Sequence, residues 1–435
     1  VTHSFPTRRS SDLFVKITTD GTGNKQYGDF VMSNSVYAEN GARVCASSVS
    51  GHVEGTSDAA TKNPVDIYVE RVVAKATTNV NTDKGWEQIA SGADNGKYKI
   101  KVGKINIDAE HEKDVYAVVQ GWGLADENRT AELEKQIDVT TNWTSTTLGI
   151  DPWTTPDYHR CFWSSSVPFT PSSGSNPIVN HAFSAFTTPF GTTPLYTCPN
   201  TFTTDEFKDS KNYEKPYDNT LTKVLVAAKL VYYDDDNNSH PADICKYRGI
   251  QILGAENVLK QVAKDHSEYW TVDPTNPSKH VLLAHTDLEY TREDLDGSTT
   301  DGLKSYEVRP VLKAGVKVYK KTSDGSFETT DSNDDLNNSL AQSPVQVRKD
   351  GMTYYFTPIR HLAQNKTEMG YYGVVRNHSY RITINTISGF GTPVYDPDEI
   401  IDPVIPKDTE TYLAARINVL SWRVVPSSVD LDATK

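Results

Sequence analysis

Apolar and polar residues alternate along much of this chain with a period of two. Val65, Ile67 and Val69 alternate with Asp66, Tyr68 and Glu70. Tyr98, Ile100 and Val102 alternate with Lys99 and Lys101, and Ile105 and Ile107 with Asn106 and Asp108. Such alternation predicts strands with one wet face. Further strands are predicted over 115–119, 224–233, 316–319 and 354–356, and at Tyr380, Ile382 and Ile384. Clusters of Gly, Pro, Asn, Asp and Ser separate these runs, which argues for an all-β sandwich or barrel. Only two helices are expected, over 256–266, where Val258, Leu259 and Val262 share a face, and over 130–137. Residues 153–205 and 273–302 read as long loops rich in Pro, Thr, Ser and Asn.

The end of the chain has its own pattern. Residues 391–411 carry Pro393, Pro397, Pro403 and Pro406 among acidic residues. Proline stiffens the backbone and removes amide donors, so an extended tether is expected there. A strand follows over 412–431, YLAARINVLSWRVVPSSVDL. Leu413, Ala415, Ile417 and Val419 are apolar on odd positions, then Leu420, Trp422 and Val424 on even ones. One residue of shift turns side chains to the other face, so either a bulge sits near 419–420 or the two halves bury against different partners. Left unpaired, such a strand would aggregate. It either folds back into its own domain or fills a groove of a neighbouring molecule, which would build an open-ended fibre.

Composition narrows the class. The chain has 435 residues, 37% hydrophobic and 23% charged, which suits a folded protein of two or three domains. Its net charge of −13 works against nucleic acid and anionic membrane as partners. Cys45, Cys161, Cys198 and Cys245 form no C-x-x-C pair, so zinc and redox motifs are not expected. A Cys161–Cys198 bridge is open in an oxidising compartment. Residues 1–13, VTHSFPTRRSSDL, lack the apolar centre of a secretory signal and resemble translated sequencing-adapter read-through. We expect them to be non-native, with the true export signal upstream.

The stretch 373–384, GVVRNHSYRITI, leads to Ile387-Ser388-Gly389-Phe390-Gly391, then the tether, then Val419-Leu420-Ser421-Trp422-Arg423-Val424 and the terminal Val429-Asp430-Leu431. In that order these pieces resemble the end of the Mfa-type fimbrillins, shaft subunits of type V pili in Bacteroidales. A weaker likeness, over 65–76, is to the last strand of that family's N-terminal domain. The resemblance implies transthyretin-like β-sandwich domains, export as a lipoprotein precursor through the outer membrane to a surface fimbrium, and strand exchange between subunits. On that basis 14–76 would be the remnant of a truncated first domain, 77–390 the C-terminal sandwich, 391–411 the tether and 412–435 the donor strand. The donor role would fall on Leu413, Ala415, Ile417, Val419, Leu420, Trp422, Val424, Val429 and Leu431. Partners would be other copies of the chain or related pilins, with host or bacterial surface ligands a further class.

No H-E-x-x-H, G-x-S-x-G or phosphate loop occurs. His159 with Cys161, and His280 with His285, lack a third ligand. Asp331-x-Asn333-x-Asp335 imitates a calcium loop, but Leu336 and Gln342 stand where Gly and Glu are needed. The run 234–238, DDDNN, is read as a solvated turn with weak Ca²⁺ binding open. Trp153, Phe162 and Trp163 could stack on sugars or pack in a core. The expectation is therefore a non-enzymatic fimbrial subunit without cofactor or metal. A tip or accessory adhesin is the alternative, and a glycan-active enzyme the third reading.

Overall fold

The computed structural model describes residues 15–19, 25–34, 49–65, 69–108, 110–131, 166, 176–191, 193–201, 221–292, 303–329, 332–362, 370–403, 412–421 and 423–424. The fold is all-β, with strands in several sheets and few helices. Its centre is a sandwich of two sheets. The strands are β1 (Ala74–Val80), β2 (Glu87–Gln88), β3 (Tyr98–Asn106), β4 (Glu112–Ala125), β5 (Leu195–Thr197), β6 (Lys223–Tyr233), β7 (Met352–Pro358), β8 (Ser379–Ser388), β9 (Thr392–Pro393), β10 (Tyr412–Ser421) and β11 (Arg423–Val424). The first sheet runs in the order β5-β1-β8-β10-β11, and the second β9-β7-β6-β4-β3-β2. In the first, β8 lies parallel to β1 and antiparallel to β10.

Alternation explains the packing. Ala74, Ala76 and Val80 of β1 and Tyr380, Ile382 and Ile384 of β8 face Ile100, Val115, Ala117, Val224, Val226 and Leu230 of the second sheet in one core. The boundary expected after Ala76 falls inside β1. The polar Thr77-Thr78-Asn79 suggested a break there, but Thr78 is fully buried on the core face and the strand runs to Val80.

The second sheet is covered on both sides, which is why β6 reads as a nearly continuous apolar run. Its odd positions Leu225 and Ala227 join Phe183, Phe186, Met352, Tyr354, Val394 and Ile401 in a second cluster. Phe183 to Thr188 lies close on β4, because a Cβ at Gly121 would sit 2.4 Å from Phe186 O and one at Gly123 2.5 Å from the Phe186 ring. Trp122 N donates to Thr188 O at 2.9 Å.

Between β6 and β7 the chain builds an insert with its own core. A five-stranded sheet is ordered Ile250–Leu253, Ile244–Tyr247, Val345–Val347, Glu307–Leu312, Leu288–Thr291. The helix Ala255–Asp265 packs Val258, Leu259 and Val262 on that core, as its spacing predicts. A second helix, Ser332–Ala341, was not expected, since Leu336 and Leu340 are its main core residues in a polar sequence. The loop expected over 273–302 contains a strand, Asn276–Leu282, paired with Tyr269–Asp273, and a further strand, Leu288–Thr291. The strand expected over 316–319 is instead Tyr319–Lys321. Of the helix expected over 130–137, only Thr130 and Ala131 lie among the described residues, outside any helix.

Two small ribbons precede the sandwich, Val15–Thr19 with Lys25–Phe30 and Met32–Asn34 with Val69–Arg71. Phe30 meets Tyr196 with ring centroids 5.2 Å apart, so this part touches the edge strand β5. No helix among the described residues is long and apolar enough to cross a membrane.

Candidate assembly strand

The C-terminal strand β10 pairs with β8 of its own chain over nearly its whole length. Val419, Ile417, Ala415 and Leu413 stand opposite Tyr380, Ile382, Ile384 and Ile387. All four of those β8 residues are buried core residues. Directly opposed residues of an antiparallel pair share a face, so the odd apolar set of the sequence is in register with the core positions of β8. On its other side, among the described residues, β10 pairs with the two-residue β11, Leu420 opposite Val424 and Ser421 opposite Arg423. The change of phase at 419–420 thus coincides with the chain doubling back. Trp422, Val429 and Leu431 lie outside the described residues.

The register break falls on β8 rather than on β10, between Ile384 and Thr386. The extra residue is Asn385, which is buried. Trp86 Nε1 donates to Asn385 O at 2.8 Å, Asn81 Nδ2 donates to Asn385 Oδ1 at 3.1 Å, and Asn81 N donates to Ile384 O at 2.9 Å. A bulge leaves backbone groups out of the ladder, and here the Trp86 indole and the Asn81 backbone amide satisfy the Asn385 and Ile384 carbonyls.

At the other end of β8, Tyr380 is buried among polar groups. Its hydroxyl accepts from Val375 N at 2.8 Å and lies 2.9 Å from His361 Nδ1. Burial pushes its phenol well above the usual range.

After β8 the chain crosses from the first sheet to the second through Gly389-Phe390-Gly391. Gly389 N donates to Val102 O at 3.1 Å, and Tyr355 OH donates to Gly389 O at 2.9 Å. The Arg348 guanidinium donates to Phe390 O at 2.9 Å and Gly391 O at 2.7 Å, and reaches Ile244 O of the insert at 3.4 Å. Gly391 has φ +70°, and a Cβ there would lie 2.2 Å from Thr353 Oγ1.

The stretch expected to hang as a tether begins as a packed strap. Thr392–Pro393 pairs with β7 as β9. Val394 and Ile401 are buried, Ser184 N donates to Pro397 O at 2.8 Å, and Ile401 N donates to His181 O at 2.9 Å. Pro397 takes part through its carbonyl, so its missing amide costs nothing here. Residues 404–411 lie outside the described residues.

Beneath the strap is a buried polar centre at the ends of β4 and β6. Asp126 and Lys223 are in direct contact, with side chains 1% and 0% exposed. Asn180 Nδ2 donates to Asp126 Oδ1 at 2.8 Å. Asn200 Nδ2 and Thr222 Oγ1 each donate to Asp126 O at 3.1 Å. His181 Nε2 lies 3.1 Å from Glu127 Oε1. Burial raises the Asp126 carboxyl above its ordinary range, opposed by the charge of Lys223.

The other candidate groups are held in structural roles. Asp234 caps its turn by accepting from Asn238 N at 2.7 Å and lies 2.8 Å from His240 Nε2, contacts that bring its carboxyl down to about 2. Asn333 accepts from Val318 N at 2.9 Å and donates to Val316 O at 2.9 Å, which fixes the helix Ser332–Ala341 to the insert. His280 stacks on Phe327 at 4.1 Å, and His285 lies 3.5 Å from Glu256. Among the described residues no three His, Cys, Asp or Glu converge as metal ligands. Cys198 and Cys245 are buried, and burial pushes the Cys245 thiol up to about 12. His159, Cys161, Trp153, Phe162 and Trp163 lie outside the described residues, and with Cys161 the bridge to Cys198.

Residues 347–427 match the family model of major fimbrial subunit protein type IV, fimbrillin, C-terminal region. The matched span runs from the last strand of the insert's main sheet through β7, β8, the glycine crossover and the strap to β11. The match is a likeness of this span, less than half of the chain, to the C-terminal region of a fimbrial subunit family. No curated protein matches the chain.

Sequence reasoning missed Arg348, Trp86, Asn385 and the Asp126–Lys223 pair. Trp86 sits next to Gly85 at a turn, and only an aromatic at a loop hints at a buried anchor. Lys223 opens an apolar strand, which is the one signal that pointed to a buried charge.

Proposed function

We propose that this chain is an Mfa-type shaft fimbrillin that polymerises by strand exchange, its C-terminal strand completing the sheet of a neighbouring subunit. The observation that carries the reading is the position of β10. It is added at one side of β8, in register with four core residues, and among the described residues the two of β11 pair beyond it. Removing such a strand leaves the β8 edge and the core beneath it open. A second copy of the same strand can close that edge with the same ladder and the same apolar set. The export route that goes with this reading is a lipoprotein precursor carried to the outer membrane of a Bacteroidales cell.

The test uses subunits produced with natural and heavy-isotope label, mixed and assembled, with a photoactivatable crosslinker on a single Cys at Ile417. Light-to-heavy crosslinks would establish exchange. Crosslinks confined to single molecules, together with fibres that persist after deletion of 412–435, would remove it.

A second reading, an accessory adhesin, draws on the small sheet of the insert. Tyr269 and Thr271 face its core, while Trp270, His280, Tyr319 and Phe327 cluster on the other face, Trp270 and Phe327 with ring centroids 5.3 Å apart. Aromatic faces of this kind stack on sugar rings. A glycan array on which the Trp270→Ala variant binds as well as the parent would remove that reading.

A further inference from the structure

The polar centre under the strap holds chemistry that strand exchange does not use. Lys223 Nζ touches Asp126 Oδ2, and neither side chain is exposed. The two residues are 97 positions apart. Lys223 opens β6 opposite Ala125, the last residue of β4, and Asp126 follows with φ +52°. The backbone of Asp126 is fixed by Asn180 Oδ1, which accepts from its N–H at 2.7 Å, and by the two donors to its carbonyl. The nucleophile and its target are thus held together before any reaction starts, which removes most of the entropic cost of joining them.

We propose that Lys223 and Asp126 are joined by an intramolecular amide bond that forms in the folded sandwich. In water a lysine ammonium and a carboxylate do not condense. The step begins with transfer of one proton from Nζ to Oδ2 along their direct contact, which leaves a neutral amine against a neutral acid. The Nζ lone pair attacks Cγ of Asp126, and a C–N bond forms while the C=O π pair moves onto Oδ1. Asn180 Nδ2, 2.8 Å from Oδ1, donates to the negative charge that develops there. The amine proton passes to the Oδ2 hydroxyl, the C–Oδ2 bond breaks, and one water leaves. The product is a neutral secondary amide, and no oxidant or cofactor enters the balance.

The surrounding charges fit this course. Asp402 on the strap adds negative potential at Asp126 and favours its protonated form. Glu127 is engaged by His181 at 3.1 Å. The product replaces a buried lysine–carboxyl contact with a covalent link between adjacent central strands. A pull on the chain ends would then bypass the segment between residues 126 and 223.

The test is the intact mass of the purified, denatured full chain, followed by tandem mass spectrometry of its digest. The expected mass is below that of the sequence by one water, with a branched peptide joining Lys223 to Asp126. Asp126→Asn is expected to lose one ammonia instead and give the same branch. Lys223→Met and Asp126→Ala restore the full sequence mass. A parent chain at its full sequence mass overturns the proposal without any variant. So does a mass lower by one water without the branched peptide, which would mark a dehydration elsewhere in the chain.

Discussion

Gly391→Ala is expected to destabilise the sandwich by about 2–5 kcal/mol. Two separate costs add to that figure. Gly391 has φ +70°, and an L-residue in that region costs about 1–2 kcal/mol. The new Cβ would also lie 2.2 Å from Thr353 Oγ1 and 2.9 Å from Tyr354 O. Thr353 cannot turn aside without loss, since its hydroxyl serves Phe390 O at 2.7 Å and Thr392 O at 2.9 Å. Relieving the overlap by shifts of strand β7 costs about 1–3 kcal/mol more. Thr353→Ala removes the clashing atom but gives up a hydrogen bond of about 1 kcal/mol. The double variant should therefore be less destabilised than the sum of the two singles, by about 1–2 kcal/mol. Urea unfolding followed by tryptophan fluorescence on all four proteins reads this directly. Additivity within about 0.5 kcal/mol would refute the steric argument, and a single-variant loss below about 1 kcal/mol would refute the whole.

Three further outcomes are expected. Trp86→Phe removes the donor to the Asn385 carbonyl at the bulge and should lower stability by about 1–3 kcal/mol, checked by the same unfolding curves. Leu336→Ala, at a fully buried position, should cost about 2–5 kcal/mol and speed hydrogen exchange across the insert more than across β6 and β8. The Asp234 carboxyl is depressed in the folded state, so its contribution is present above the unfolded value near 4 and is lost as pH falls through about 2. The thermal midpoints of the parent and Asp234→Asn should therefore differ at pH 5 and converge by about pH 2, and a constant gap would overturn that assignment.

The strands of the sandwich were legible because β3 and β8 alternate against one core, while β6 is a near-continuous apolar run buried on both faces. The runs at Tyr98, Val224 and Tyr380 all became strands with the phase that the sequence shows. What was not legible depends on contacts between distant segments. Thr78 looks like a break in β1 until β8 pairs beside it, with Ile382 in register. The Asn385 bulge depends on Trp86, 299 residues away, so no local pattern marks it. The strap at Val394 and Ile401 was read as free because proline content reports backbone stiffness and not what lies underneath. The helix Ser332–Ala341 was hidden by its own polarity, since two leucines at a spacing of four are a weak period. In the candidate assembly strand the odd apolar set was visible from the sequence, whereas its register against Tyr380, Ile382, Ile384 and Ile387 was not.

Strand β8 has consequences for the order of events during synthesis. Its parallel partner β1 is completed about 300 residues earlier, as the Asn81–Asn385 contact across 304 positions records. Ribosomes add about 5–20 residues per second, so β1 waits roughly 15–60 s for the strand that will pair with it. During that interval its Ala74, Ala76 and Val80 row is an open edge beside a growing chain. A sandwich whose central strand arrives this late cannot close progressively behind the ribosome. The first sheet therefore stays incomplete until residue 388 has emerged.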